Sequence, residues 1–517
     1  MSHWLQIKNA QTVSKTDIPT FHLSELTETM VQLINKGHRV VQFCGSPRVQ
    51  DNSVIVTAVL ADDSSSRLLI CKASTKASYA YDSMTPQVPS VTLFERELWE
   101  QTGIVPRGHP NLKPLRSSTL TLTPPIKGEE VWRQSPVKGE GVFIPPPAAG
   151  EASSYMESAY EVNTVPQQEG ITEPGIFRFL CQGQEVYHAD IEFGYQHRGV
   201  EALFKEGRAM SKAHLAESII GDSVIAHVWA YAMAMESLSS TYVSMRAEII
   251  RGIALELQRI AMHLSSLAFM SSTIGFLPGV SSFCQLRSEV LDLMLMLCGN
   301  RLGRGLIRPG GVIFDISDAI REHILNSMDG LHRDTEAINA YFLSSPGVLS
   351  RLQGTAVINT ELAWNAGIVG VCAKASGLPI DCRADQPFGI YRKDKVRAEL
   401  LTYGDAFARA KIRALEIDDS IALIRKWLSY GFMVGDIMAK PSLPASDSIV
   451  VSMVEGWRGE VSHMVTTGSN SEVEHYKVVD ASFHNYVGPA LAIRGGCISD
   501  FPLCNKSFDL SSCGVDL

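Results

Sequence analysis

Apolar positions along the chain change their spacing three times. Over the first ~115 residues short β-branched runs alternate with helical stretches. Ser53–Leu60 (SVIVTAVL), which ends in the turn-forming ADDSSS, predicts a strand, and Arg67–Lys72 (RLLICK) predicts its partner. From Ser117 to about Pro166 the periodicity disappears, and six of the 24 prolines crowd into positions 124–147, which predicts an extended linker. After a β-like stretch at Ile176–Tyr187, Glu201–Met270 carries apolar residues at three- and four-residue spacing almost without proline, predicting two or three long packed helices. Helical spacing continues in Leu286–Cys298, Ser317–Phe342 and Lys393–Trp427, and strand patterns return at Ser448–Glu455 and Tyr476–Val479. The whole predicts an α+β chain: a small N-terminal α/β domain over 1–116, a Pro-rich linker over 117–165, and a large, mainly helical domain with short peripheral strands over 166–517.

Composition places this pattern in the ordinary globular range, with 45% hydrophobic and 20% charged residues. The 46 basic and 55 acidic residues leave a net charge of −9, which argues against an electrostatic grip on nucleic acid. No apolar stretch reaches the ~20 residues that span a bilayer. The best one, Ser223–Met235, contains His227 and is flanked by Asp222 and Glu236. Ten cysteines are spread with no CxxC pair and the first residues lack an apolar leader, so the expectation is a cytoplasmic chain with reduced thiols. GNRLGRG at 299–305 lacks the GK[ST] ending of a phosphate loop and predicts a helix stop and turn.

Two blocks carry a family resemblance. Phe94–Leu115 (FERELWEQTGIVPRGHPNLKPL) resembles the signature of the 30 kDa subunit of respiratory complex I, with its ERE box, GI dipeptide and GHP. Gly194–Glu201 (GYQHRGVE) resembles the GxxHRGxE box shared by the complex I 49 kDa subunit and nickel-iron hydrogenase large subunits. Glu256–Leu264 (ELQRIAMHL), Gly377–Pro387 (GLPIDCRADQP), Trp457–Glu460 (WRGE) and Asp500–Ser507 (DFPLCNKS) keep step with it. A 30 kDa-like domain fused ahead of a 49 kDa-like one resembles the large subunits of membrane-bound energy-converting hydrogenases of the formate hydrogenlyase type. That resemblance implies an iron–sulfur small subunit similar to the complex I 20 kDa subunit and antiporter-like membrane subunits as partners. It also implies a place on the inner face of the cell membrane, reached through those partners. His197 and Arg198, with Arg458 and Glu460, are then expected at the contact with the iron–sulfur subunit.

The resemblance also says what should be present and is missing. Nickel–iron catalysis needs four soft thiolates, which the family supplies in an ERxCGxCxxxH box and a DPCxxC box. Here the first box reads Glu217–His227, ESIIGDSVIAH, with Ile220 and Ser223 at the cysteine positions. The second reads Asp509–Gly514, DLSSCG, with Ser511 and Gly514 at the ligand positions and Cys513 one residue out of register. The expectation is a chain without metal or other cofactor, the iron–sulfur clusters lying in partner subunits. The quinone pocket of complex I fares no better, since its His and Tyr positions align with Pro174 and Gly221.

Polar residues near these boxes remain candidates. Asp222 is either a helix N-cap or a functional carboxylate, and His227 either a core histidine or a proton carrier. Glu256, Arg259 and His263, spaced i, i+3, i+7, share one helical stripe that reads as a proton relay or as a self-satisfied structural network. Three functions follow: a nickel-free scaffold and proton-coupling subunit, an oxidoreductase subunit whose emptied cavity takes a quinone or other small electron acceptor on Asp222, Ser223, Ser511 and Cys513, or a stand-alone soluble protein.

Overall fold

The strand pair predicted from Ser53–Leu60 and Arg67–Lys72 forms, and both strands run to ten residues. The structure, a computed structural model, describes residues 4–48, 53–116, 160–163, 173–430 and 435–517. The Pro-rich linker expected over 117–165 lies outside these residues apart from 160–163. In the N-terminal unit β1 (Leu5–Ile7), β2 (Val13–Ser14), β3 (Thr20–Phe21) and α1 (Leu23–Ile34) precede the long strands β4 (Arg39–Arg48), β5 (Ser53–Asp62) and β6 (Arg67–Lys76). Then follow β7 (Ala80–Asp82), α2 (Thr92–Thr102) and β8 (Val105–Arg107). The main sheet runs β1-β6-β5-β4, with β3 added in parallel on β6.

That sheet is buried on both faces, which is why its strands read as continuous apolar runs rather than as alternation. One face, with Val41, Val59, Leu68 and Ile70, packs into a core shared with Trp229 and Ile250 of the second unit. The other face, with Phe43, Leu60 and Leu69, packs on Leu26 and Met30 of α1 and Leu98 of α2. The β2 segment leaves its own unit and pairs with β14 (Ser448–Glu455) far along the chain, through Ile449 and Val13.

In the second unit β9 (Tyr160–Asn163), β10 (Ile176–Gln182) and β11 (Glu185–Glu192) form an antiparallel sheet, and α3 (Val200–Lys205) and α4 (Ala213–Ala216) lead into the helical core. The core holds α5 (Val224–Leu238), α6 (Met245–Thr273) and α7 (Leu277–Cys298). α5 is apolar on every side, so it is buried on every side. Ser244 caps α6 by accepting from the Ala247 N–H at 3.2 Å, and Gly299, at φ 72°, stops α7 where the sequence predicted a helix stop. A short hairpin, β12 (Ile307–Arg308) with β13 (Gly311–Val312), precedes α8 (Asp318–Ser344). Four short helices follow, α9 (Pro346–Leu352), α10 (Thr360–Asn365), α11 (Gly370–Ala375) and α12 (Cys382–Asp385).

The helix expected from Lys393 begins only at Ala406, as α13 (Ala406–Ser429). Gly404 sets that boundary: its φ is +63°, and a Cβ there would lie 1.8 Å from the Ile358 carbonyl oxygen. Asp405 then caps the helix by accepting from the Ala408 N–H at 2.8 Å. β14 continues into β15 (Glu460–Thr467) and β16 (Val473–Val479), and α14 (Ala481–Asn485), α15 (Val487–Ala492) and α16 (Phe501–Phe508) close the described chain. Among the described residues no helix is long and apolar enough to cross a membrane.

Candidate functional site

The two boxes meet in space through one arginine. Asp222 precedes α5, and Arg458 NH1 and NH2 donate to its carboxylate at 2.6 and 2.8 Å. Asp222 is therefore an ion-pair partner rather than the N-cap; Ser223 holds the cap position, and its side chain caps nothing. Arg458 also lies over the Trp457 ring at 4.0 Å and donates Nε to the Asp509 carbonyl at 2.5 Å, which ties the first box to the last. The expectation that Arg458 and Glu460 face a partner subunit is overturned. Both are buried and bonded within the chain, Glu460 accepting from Arg39 NH1 at 2.8 Å. Arg198, by contrast, is exposed and donates to the Ser218 and Ile219 carbonyls at 2.8 and 2.6 Å.

The last box is filled from within. Ser511 Oγ donates to Glu173 at 2.8 Å, and Ser512 donates to the same carboxylate through its N–H at 2.5 Å and its hydroxyl at 2.8 Å. A Cβ at position 514 would sit 2.7 Å from Asp480 Oδ1, so glycine is required beside that carboxylate. Cys513 is partly buried, and burial pushes its thiol up. These residues do not fit nickel: Ile220 is a buried hydrocarbon, Gly514 has no side chain, and Ser511 already serves Glu173. Among the described residues no three His, Cys, Asp or Glu side chains converge as a metal site.

His227 lies behind this box in a buried row. Its Nδ1 is 3.1 Å from His463 Nε2, its Nε2 is 3.4 Å from Asp480 Oδ2, and His463 Nδ1 is 2.7 Å from the Tyr476 hydroxyl. Burial alone would raise Asp480, but the His227 contact and the charge of Arg458 outweigh it and hold the carboxyl at about 2. The Tyr476 hydroxyl, both imidazoles and the ionised Asp480 carboxylate thus lie in one buried row.

The stripe on α6 opens into a larger network. Glu256 accepts from Arg259 Nε at 3.0 Å, Ser420 Oγ at 2.6 Å, Arg383 NH1 at 3.3 Å and the Tyr391 hydroxyl. His263 Nε2 is 2.7 Å from Glu416, whose other oxygen accepts from Lys374 Nζ at 2.6 Å. Lys374 also donates to Asp381 at 2.8 Å, and Asp381 accepts from Arg383 NH2 at 2.8 Å. Glu455 joins by accepting from the Cys382 N–H at 3.0 Å, 3.8 Å from Lys374 Nζ. All of these side chains are buried.

Three cations, Arg259, Lys374 and Arg383, thus face three carboxylates, Glu256, Asp381 and Glu416. Two further groups stay neutral at pH 7. Burial and the neighbouring Asp381 charge push Glu455 up to about 8, and burial pulls His263 down to about 4. Sequence reasoning found Glu256, Arg259 and His263 but missed Lys374, Asp381, Arg383, Glu416 and Glu455. The available signal was a lone charge inside an apolar run, as Lys374 stands in GVCAKA and Glu455 ends SIVVSMVE, since such charges survive burial only when paired.

Two links join this network to its surroundings. Arg259 donates to the Glu455 and Gly456 carbonyls at 2.7 and 2.9 Å, and the His263 ring meets Trp457 edge-on at 6.0 Å; Glu455 ends β14, and Arg458 lies in the turn that follows it. The ERE and HRGVE boxes also meet, because Lys477 Nζ bridges Glu97 at 2.8 Å and Glu201 at 2.9 Å.

Comparison with known proteins agrees with this arrangement. Residues 19–128 match the family described as the respiratory-chain NADH dehydrogenase 30 kDa subunit, and residues 273–440 match the 49 kDa subunit of the same enzyme. A carbon monoxide-induced hydrogenase of Rhodospirillum rubrum is 28% identical over 353 residues, covering 68% of this chain and 98% of that protein. Hydrogenase-4 component G of Escherichia coli (strain K12) is 25% identical over 481 residues, covering 92% of this chain and 80% of its own length. Among solved structures, a chain of the membrane-bound sulfane sulfur reductase, an archaeal respiratory membrane complex, superposes with a TM-score of 0.66 at 21% identity, covering 70% of this chain and 100% of that one. In one polypeptide the chain joins a domain of the 30 kDa subunit family to a domain of the 49 kDa subunit family, both families being described for the respiratory-chain NADH dehydrogenase.

Proposed function

We propose that this chain is the nickel-free large subunit of a membrane-associated, redox-driven ion-pumping complex, acting as scaffold and as a proton-coupling element. Its relatives are hydrogenase components and a chain of a respiratory membrane complex, which supports a redox subunit that works with membrane partners. On this reading the partners are an iron–sulfur subunit similar to the complex I 20 kDa subunit and antiporter-like membrane proteins. Electrons travel on the partner's clusters, this chain holds no cofactor, and it sits on the inner face of the cell membrane.

One observation carries the coupling role. The network is balanced three charges against three, and two protonatable groups, Glu455 and His263, are held neutral at its edges. Moving a proton onto His263 or off Glu455 changes the charge of a buried cluster by one, at a cost of several kcal/mol. Such a cluster answers a nearby electron by exchanging a proton. The small-acceptor reading draws no support from the site, since Asp222 is held by Arg458 and Ser511 by Glu173.

The test uses the intact complex in sealed vesicles, with electron transfer and ion movement measured together. Glu416→Gln keeps the shape and removes the charge that links His263 to Lys374. It is expected to lower ions moved per electron while electron transfer continues. An unchanged ratio in a well-folded variant would return the network to a purely structural role. Asp222→Asn, outside the network, is expected to leave the ratio unchanged.

A further inference from the structure

Glu455 and Glu460 face each other directly across the β14–β15 hairpin. Cross-strand partners leave the same face of a sheet with their Cβ atoms about 5 Å apart, and two ionised carboxylates at that spacing repel. Glu455 is the member of the pair that keeps its proton at pH 7. Cys382 touches both acids, its N–H donating to Glu455 Oε2 at 3.0 Å and its thiol to Glu460 Oε2 at 3.8 Å. Each acid has one buried oxygen, Oε1, that makes no hydrogen bond among the described residues. Oε1 of Glu455 lies 3.8 Å from Lys374 Nζ, and Asp381, Arg259 and Arg383 are the other charges around that acid. Oε1 of Glu460 lies 3.6 Å from His484 Nε2.

His484 turns this pair outward. It lies near the end of α14, buried, with its ring edge-on to Phe94 at 5.5 Å, which limits its rotation. Glu460, Arg39 and Asp480 are the charges that act on the ring. The ring also lines a cavity of about 20 Å³, room for about one water, together with Arg39 and the half-buried His38, Ser90 and Trp364. Asp63 holds Arg39 through two contacts, to Nε at 2.5 Å and to NH2 at 3.1 Å, so Arg39 keeps a counter-charge whether or not Glu460 is ionised. The seam between the two modules thus carries a line of proton-accepting groups from the buried network to half-buried side chains.

We propose that Glu460 and His484 are the proton outlet of the buried network, carrying the Glu455 proton to a water in this cavity and so to solvent at the seam. The Glu455 O–H bond breaks as Glu460 gains the proton on Oε1. Glu460 then protonates His484 Nε2, and the other ring nitrogen releases a proton to the water. No electrons move, and once the ring resets its tautomer Glu460 and His484 are unchanged. The net result is one proton lost from Glu455 and one gained by solvent. The 3.6 Å between Glu460 and His484 exceeds a hydrogen bond, so the transfer requires a small side-chain movement. Use of the outlet during turnover rests on the proton-coupling reading of the network; exchange of the Glu455 proton with solvent does not.

The test follows the full-length chain by infrared spectroscopy after rapid mixing from water into D2O at about pH 6, below the Glu455 value of about 8. The carbonyl band of protonated Glu455, identified by its absence from Glu455→Gln, shifts as deuterium replaces the proton. His484→Ala is expected to slow that shift at least about tenfold. Added imidazole, seated where the side chain was, is expected to restore the rate, which a merely structural histidine would not allow. Ser90→Leu fills the cavity and leaves His484 in place; it is expected to slow the shift as well, and it decides if His484→Ala fails to fold. An unchanged rate in either folded variant, slow exchange that imidazole does not restore, a band that shifts only as fast as the β14 amides exchange, or no band lost in Glu455→Gln would each overturn the proposal. No electron transfer enters this measurement, so its failure is distinct from failure of the coupling reading, which shows in ions moved per electron.

Discussion

Glu455→Gln isolates the carboxyl of the buried network that burial and the neighbouring Asp381 charge keep protonated at pH 7. Glu455 keeps its proton up to about 8 in the folded chain, against an ordinary value of 4.5. Between those two values the folded state binds one more proton than the unfolded state, so unfolding free energy falls as pH rises. The contribution is fully present below 4.5 and is lost as pH rises through 8, a total on the order of 5 kcal/mol. From pH 5.5 to pH 8.5 that amounts to about 3 kcal/mol. Glutamine cannot ionise, yet its amide oxygen can still accept from the Cys382 N–H, so the variant keeps the geometry and loses the titration. Burial also raises Asp385 to about 7 and Glu248 to about 7, but both titrate identically in the two proteins and cancel in the difference. Urea unfolding of both proteins at pH 5.5 and pH 8.5 is the assay. The unmodified chain should lose about 3 kcal/mol more than Glu455→Gln. Parallel pH profiles, within about 0.5 kcal/mol, would refute the account of Glu455 as a neutral group held inside a balanced cluster.

Three further outcomes follow from the geometry. Lys374→Met leaves Asp381 and Glu416 without their shared cation and should cost about 3–5 kcal/mol, read as a lowered thermal midpoint. Arg458→Met and Asp222→Asn break the same ion pair with unequal effect. Asp222 is 36% exposed and its loss should stay within about 1 kcal/mol, whereas losing Arg458 should cost about 3 kcal/mol and release the Asp509 carbonyl, a difference that paired melting curves resolve. Gly404→Ala forces a Cβ onto the Ile358 carbonyl in a left-handed backbone and should abolish soluble expression at 37 °C, whereas Gly183→Ala, at φ +60° with nothing within 4 Å, should cost only about 1 kcal/mol.

Legibility in the sequence tracked how local the cause was. SVIVTAVL and RLLICK read as strands because β-branched runs and a turn signal lie within a few residues of one another. The start of α13 was misplaced because the obstacle at Gly404 is the Ile358 carbonyl, 46 residues earlier in the chain, and nothing in the neighbouring pattern announces it. The stripe Glu256-Arg259-His263 was visible as helical spacing, but its partners come from α11, α12, α13 and β14, and only the fold brings them together. Arg458 and Glu460 were expected on a surface and are buried, since a charged tetrapeptide such as WRGE carries no local sign of the Asp222 and Arg39 that receive it. The family boxes were legible for a different reason. They mark places where separate charges meet, as Glu97 and Glu201 do at Lys477, and such residues keep a recognisable spacing.

On the proposed function, this hydrogenase-like large subunit keeps the frame around a buried charge network and has lost the ligands for its metal. Elemental analysis of the purified, intact complex tests this most directly. Iron from the partner's clusters and no stoichiometric nickel are expected, whether or not nickel is supplied during growth. One nickel per copy of this chain would contradict it, because the isoleucine, glycine and two serines at the ligand positions would then have to be replaced by donors from elsewhere.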